Sequence, residues 1–86
     1  MDSDTRIFSI EIEYCQVWKL GGLAVSLAEN LLKDFENHIV SICLIPSDGG
    51  RFEVMVNNKL IFSKLQSHRR AEIAEINALI REFIYH

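Results

Sequence analysis

Residues 6–45, RIFSIEIEYCQVWKLGGLAVSLAENLLKDFENHIVSICLI, change hydrophobic period twice, and that change decides the fold class. From Arg6 to Tyr14, Phe8, Ile10 and Ile12 alternate with Ser9, Glu11 and Glu13, the period-two pattern of a strand with one buried face. From Lys19 to Glu36 the period lengthens. Leu20, Leu23, Ala24, Leu27, Leu31 and Phe35 recur at spacings of three and four, which predicts an amphipathic helix laid on a sheet. Gly21 and Gly22 in its first turns imply a loosely wound start or a close backbone approach, and Asn37-His38 ends it. Ile39 to Ile45 is almost wholly apolar, as buried central strands of a parallel pair are. Strand, helix and strand together form a βαβ unit, right-handed in roughly 98% of cases.

Outward from this unit, Pro46-Ser47-Asp48-Gly49-Gly50 is the strongest breaker cluster of the chain. Arg51 to Val56 alternates again, with Phe52, Val54 and Val56 on one face and Arg51, Glu53 and Met55 on the other. Asn57-Asn58 fits a type I′ hairpin turn, and Leu60 to Leu65 returns as the last strand. Ile73, Ile76, Leu79, Ile80 and Phe83 restore the helical period, with Ser67 as the expected N-cap. His68, Arg69 and Arg70 would then set positive charge at the positive end of that helix, an unfavourable arrangement. The expected order is β-α-β-β-β-α: an α/β domain with a four-stranded mixed sheet and two helices. It spans residues 1–86 as one domain with an ordered core over about 6–85, the polar residues 1–5 being frayed.

Composition narrows the function classes. The chain is 49% hydrophobic and 24% charged, a globular balance, and its net charge of -3 argues against a general nucleic-acid binder. No apolar run approaches the roughly 18 residues of a membrane helix, and the acidic start is unlike a signal peptide, so a cytoplasmic protein is expected. Two distant cysteines and three scattered histidines make neither a disulfide framework nor a metal pattern. Reduced thiols are the default without an export signal, although spacing alone leaves a Cys15–Cys43 bridge open. Cys43, inside an apolar strand, reads as a packed and inert thiol.

Cys15 is the informative residue. It falls between a strand end and a helix start, where unsatisfied backbone N–H groups and the helix dipole favour a thiolate. The alternative at this position is a small buried hydrophobe. Both readings stay open on position alone.

Three pieces of sequence carry a family resemblance: Glu13-Tyr14-Cys15, Gly49-Gly50-Arg51-Phe52-Glu53-Val54 and Leu60-Ile61-Phe62-Ser63-Lys64. With the helix between them, the chain over residues 7–84 resembles the selenoprotein W-related, or Rdx, family of small thioredoxin-like proteins. That family places a Cys-x-x-Cys or Cys-x-x-selenocysteine pair in the first strand-to-helix loop. The resemblance sets Cys15 in the attacking position, and Trp18 in the place of the resolving one. A second departure is His68-Arg69-Arg70-Ala71, where the family has Gly-x-Phe-Pro.

The resemblance implies a thioredoxin-like fold and thiol redox chemistry, reduced here to monothiol exchange. Cys15 would form a mixed disulfide with glutathione or a protein thiol, resolved by an external thiol because no neighbouring one can close the ring. Peroxide would carry the same sulfur to sulfenic acid. Tyr14, Gln16, Trp18, Gly49, Gly50, Arg51 and Phe52 are the expected substrate-binding residues. Trp18 and Tyr14 form an aromatic rim, the glycines let a substrate backbone approach, and Arg51 meets a carboxylate, unless it is simply a solvated arginine. No tightly bound cofactor or metal is expected. A second hypothesis makes the chain a non-enzymatic interaction module on the same scaffold, and the edge strand Leu60–Leu65 offers a surface for a homodimer.

Overall fold

The computed structural model describes residues 6–85; the expected fraying of residues 1–5 lies outside this range. The elements are β1 (Phe8–Cys15), α1 (Gly21–Phe35), a 3₁₀ turn (Glu36–His38), β2 (Ile39–Ser47), β3 (Phe52–Val56), β4 (Lys59–Ser63), α2 (Lys64–Ser67) and α3 (Ile73–Tyr85). The sheet order is β2-β1-β3-β4, with β1 parallel to β2 and the other neighbours antiparallel. This is the expected mixed four-stranded sheet, and β1, flanked by β2 and β3, lies inside it.

Alternation in the sequence becomes two unlike faces of the sheet. Ile10 and Ile12 of β1 and Phe52, Val54 and Val56 of β3 are buried with Ala24, Leu27, Leu31 and Phe35 of α1 and Ile76 and Ile80 of α3. Both helices therefore cover one face. Asn77 of α3 ties them together, donating to Asn30 at 2.6 Å and to Asp34 at 2.8 Å. The other face carries Ser9, Glu11, Glu13, Glu53 and Met55 in the complementary register, away from α1 and α3; there Glu53 accepts from the Lys64 amide at the start of α2. Asn57 and Asn58 take φ of 52° and 69°, the left-handed pair that a type I′ turn requires. The Asn57 side chain then accepts from the Ser9 amide, closing the hairpin onto the start of β1.

Several expectations change. The apolar run of β2 is not central; β2 is the sheet's edge, and most of its residues are exposed. Lack of alternation marks a strand without a polar face, but it does not tell burial on both faces from an unclad edge. The strand also continues through Pro46 to Ser47, because an edge strand tolerates a missing N–H on its outer side. Cys43 is accordingly exposed rather than packed. Its ladder partner is Glu11, whereas Cys15 pairs with Ser47, so the two thiols lie four residues apart along the ladder, roughly 13 Å, and both are free.

The last strand stops at Ser63, two residues short of the expected end. Ser63-Lys64-Leu65-Gln66 is a capping sequence: the Ser63 hydroxyl accepts from the Gln66 amide at 3.1 Å and opens the single turn α2. Ser67 thus ends α2 instead of capping α3. His68 leaves α2 with φ 56°, the left-handed conformation, at the position where the resembled family has glycine. The three basic residues precede α3 rather than entering its first turn, so the expected clash with the dipole does not arise. Arg69 instead makes a two-pronged pair with Glu75 at 2.7 and 2.6 Å, which holds the Glu75 carboxyl below its usual range.

Of the two helix glycines, Gly21 faces the Tyr14 ring, 3.4 Å from where a Cβ would stand, while Gly22 faces open space. Gly22→Ala is expected to raise stability by about 0.4–1 kcal/mol, whereas Leu27→Ala, in the buried stripe of the same helix, lowers it by about 2–5 kcal/mol. Urea denaturation of both variants checks the pair.

Candidate functional site

β1 carries its last residue, Cys15, to the end of the sheet, and a tight turn over residues 16–20 follows before α1 begins. The turn is closed by backbone bonds. Leu20 N–H donates to Cys15 C=O at 3.1 Å, Lys19 N–H donates to Gln16 C=O at 3.0 Å, and Lys19 takes φ 59°. Inside it, Trp18 N–H donates to Cys15 Sγ at 3.4 Å. α1 itself has no side-chain N-cap and no acidic residue in its first turn, so nothing of opposite charge quenches its positive end.

The segment 47–51 packs on this turn. Cys15 N–H donates to Arg51 C=O at 2.8 Å and Gln16 N–H to Ser47 C=O at 2.9 Å. Gly49 and Gly50 both take left-handed φ, 73° and 74°. Gly50 is buried beneath the indole: a Cβ there would stand 2.9 Å from Trp18. Lys64 Nζ covers the same indole at 4.6 Å from the ring centre. The indole thus lies between a glycine backbone and an ammonium group while remaining 59% exposed.

Cys15, by contrast, is fully buried. Of the two readings left open by its position, burial is the one observed: in this conformation its side chain meets no solvent. The remaining expected residues divide. Gln16, Trp18, Gly49 and Gly50 gather with Cys15. Tyr14 is half-buried and rests against Gly21 rather than forming a rim with Trp18. Arg51 lies within 4.0 Å of Glu13 and 3.7 Å of Asp48, its own chain's carboxylates. Phe52 is wholly buried and belongs to the core.

Beside the turn opens a groove of about 650 Å³ lined by Leu20, Leu23, Phe52, Lys64, Arg70, Ala71 and Ile73 among others, Cys15 not included. Lys64 and Arg70 are site residues that the sequence reading missed. The Ser63-x-x-Gln66 cap was the available signal for Lys64, since it ends β4 and brings Lys64 into the turn beside Trp18.

A four-stranded mixed sheet with helices on one face is consistent with the thioredoxin-like class, and a lone thiol ends the first strand at the turn into the first helix. The Rdx family matches residues 9–82, and the chain belongs to that family. The structure is similar to that of a selenoprotein W-related protein from Vibrio cholerae, at 30% identity and a TM-score of 0.83 over 90% of this chain and 96% of that one. It is also similar in fold to a Bordetella parapertussis protein, at 22% identity and a TM-score of 0.83, covering 88% and 96% of the two chains. No curated protein matches the chain. Among the described residues, no helix is long and apolar enough to cross a membrane.

Gly50→Ala is expected to cost about 1–2 kcal/mol from left-handed strain and more from displacing the indole. Gly49→Ala, whose Cβ would meet only the Arg51 side chain at 3.5 Å, pays the strain alone. In a Trp18→Ala background the two glycine substitutions should therefore become equal. Urea midpoints of the full set of variants give that comparison.

Proposed function

We propose that the chain is a thiol redox protein working by monothiol exchange at Cys15. The observation that carries this reading is the Trp18 N–H aimed at Cys15 Sγ from the position where a resolving cysteine would stand. The turn keeps a backbone donor on the sulfur and lacks the second sulfur that would close a ring. Cys15 thiolate attacks a disulfide, either oxidised glutathione or a partner protein's, and one partner sulfur leaves as thiolate. An external thiol then releases Cys15 by attacking the mixed disulfide. Cys43 is too far along the ladder to act as the resolving group. A reducing, cytoplasmic setting supplies such a thiol; the reading calls for no nucleic acid, membrane, metal or bound cofactor.

Burial makes this chemistry gated. Residues 16–20 must swing away from the 47–51 segment before a disulfide can reach the sulfur, and the two turn-to-segment amide bonds and the indole contact oppose that motion. The same burial favours a second reading, the interaction module. There the exposed Trp18 and the groove beyond Lys64 would bind a partner protein while Cys15 merely fills space.

Exposure of a folded Cys43→Ser protein to oxidised glutathione, followed by peptide mass mapping, separates the two. Redox exchange predicts one glutathione on Cys15; a folded protein that stays unmodified sinks it and leaves the module. In the wild-type chain a small alkylating reagent should label Cys15 roughly tenfold or more slowly than Cys43, and denaturant should abolish the difference. Trp18→Cys is expected to restore a second sulfur and to form an internal disulfide with Cys15 on oxidation, read as resistance of both thiols to alkylation.

A further inference from the structure

We infer that β2 is a self-complementary edge through which two copies of the chain pair antiparallel, locked by a disulfide between their Cys43 residues. Both strands at the ends of the sheet are edges, but they are built differently. β4 is short, has a register shift against β3 and carries Lys59, devices that discourage pairing. The homodimer expected at Leu60–Leu65 is therefore reassigned to the opposite edge. β2 is nine residues long, IVSICLIPS, without one charged side chain, and Val40, Leu44 and Ile45 are exposed along it.

The strand also has a centre of symmetry in the right place. A register shift between Phe8 and Ser9 sets Val40 outside the ladder, and Pro46 lacks an N–H, so the regular pairing window is Ser41 to Ile45. Its midpoint is Cys43. A two-fold antiparallel pairing of this window puts Ser41 opposite Ile45, Ile42 opposite Leu44 and Cys43 opposite its own copy. Directly opposed residues have Cα atoms about 4.5–5.5 Å apart, inside the range of about 4.4–6.8 Å that a disulfide needs. Their side chains share a face, here the one away from α1 and α3, where Cys43 neighbours Glu11.

Charge and area fit a second copy that associates weakly until oxidised. The chain is net -3, so two copies approach most easily along a neutral edge. The Glu11 carboxylates that neighbour Cys43 on each β1 would be three strand spacings apart, roughly 14 Å, beyond the Debye length of about 8 Å at physiological salt. Five paired residues per copy fall far below the roughly 20–30 of a stable interface, so the contact alone is transient. The oxidant is a small-molecule disulfide. Cys43 thiolate attacks oxidised glutathione and expels one glutathione thiolate. The second copy's Cys43 thiolate then attacks the protein sulfur of the mixed disulfide and expels the other. Two protein thiols become one disulfide, one disulfide becomes two glutathiones, and the two protons pass to the released thiolates.

The test is oxidation of the full chain with oxidised glutathione, read by non-reducing electrophoresis, light scattering and peptide mapping. Cross-linked dimer joined at Cys43 is expected, reversible by reductant and retained in Cys15→Ser, which separates this inference from the redox reading above. Leu44→Lys should slow cross-linking roughly tenfold or more while leaving alkylation of Cys43 unchanged. Moving the thiol to position 41 (Cys43→Ser with Ser41→Cys) sets the two sulfurs four residues off register, roughly 14 Å apart, and should abolish the dimer. Failure of the wild-type chain to cross-link, linkage through Cys15, or full-rate cross-linking in either edge variant overturns the inference.

Discussion

Everything at the functional end of the molecule depends on β1 being held along both edges and then clamped at its tip. Parallel pairing with β2 and antiparallel pairing with β3 fix Cys15 in place, and the segment joining those two neighbours crosses the end of β1. The bonds from the Cys15 and Gln16 amides to the Arg51 and Ser47 carbonyls make the turn and the segment one unit. Gly50 permits this because its φ of 74° turns the backbone under the Trp18 ring without a Cβ in the way. An indole at position 18 and glycine at position 50 are thus one structural decision. The bulky indole is seated on the absence of another side chain, and an ammonium group covers its far face.

The fold was legible where one residue carried one message. Alternation in β1 and β3 reports a sheet with one helix-covered face, and the 3.6-residue stripe of α1 reports what covers it. Asn57-Asn58 names its own turn. The errors came where a local pattern had two tertiary causes. IVSICLI is equally apolar as a central strand and as an unclad edge, and only the sheet order distinguishes them; the misassignment of Cys43 followed from that one ambiguity. Likewise, Leu60–Leu65 reads as a strand until the Ser63 hydroxyl is seen to cap a turn, a competition between side chain and ladder that propensity does not resolve. The position of Cys15 at the strand-to-helix junction could be read from the period change, but its burial could not, because burial is set by how residues 16–20 fold back over it.

The two sulfurs end in opposite circumstances, and the difference constrains any redox role more than either does alone. Cys15 has a backbone donor and no solvent; Cys43 has solvent and an open strand edge. They sit on adjacent parallel strands, four residues apart, and neither strand can slide: a shift of one residue would turn Ile10 and Ile12 out of the core, and a shift of two would strip the ladder at both ends. An internal disulfide is therefore closed to this fold without breaking the sheet. Oxidising equivalents taken up by either thiol must leave through another molecule. Under the proposed exchange that molecule would have to reach a Cys15 sulfur that is buried while the turn is closed. For Cys43 nothing has to move. The chain thus has one exposed thiol on an open strand edge and one buried thiol under a closed turn, and tryptophan at position 18 leaves the buried one without a neighbouring sulfur.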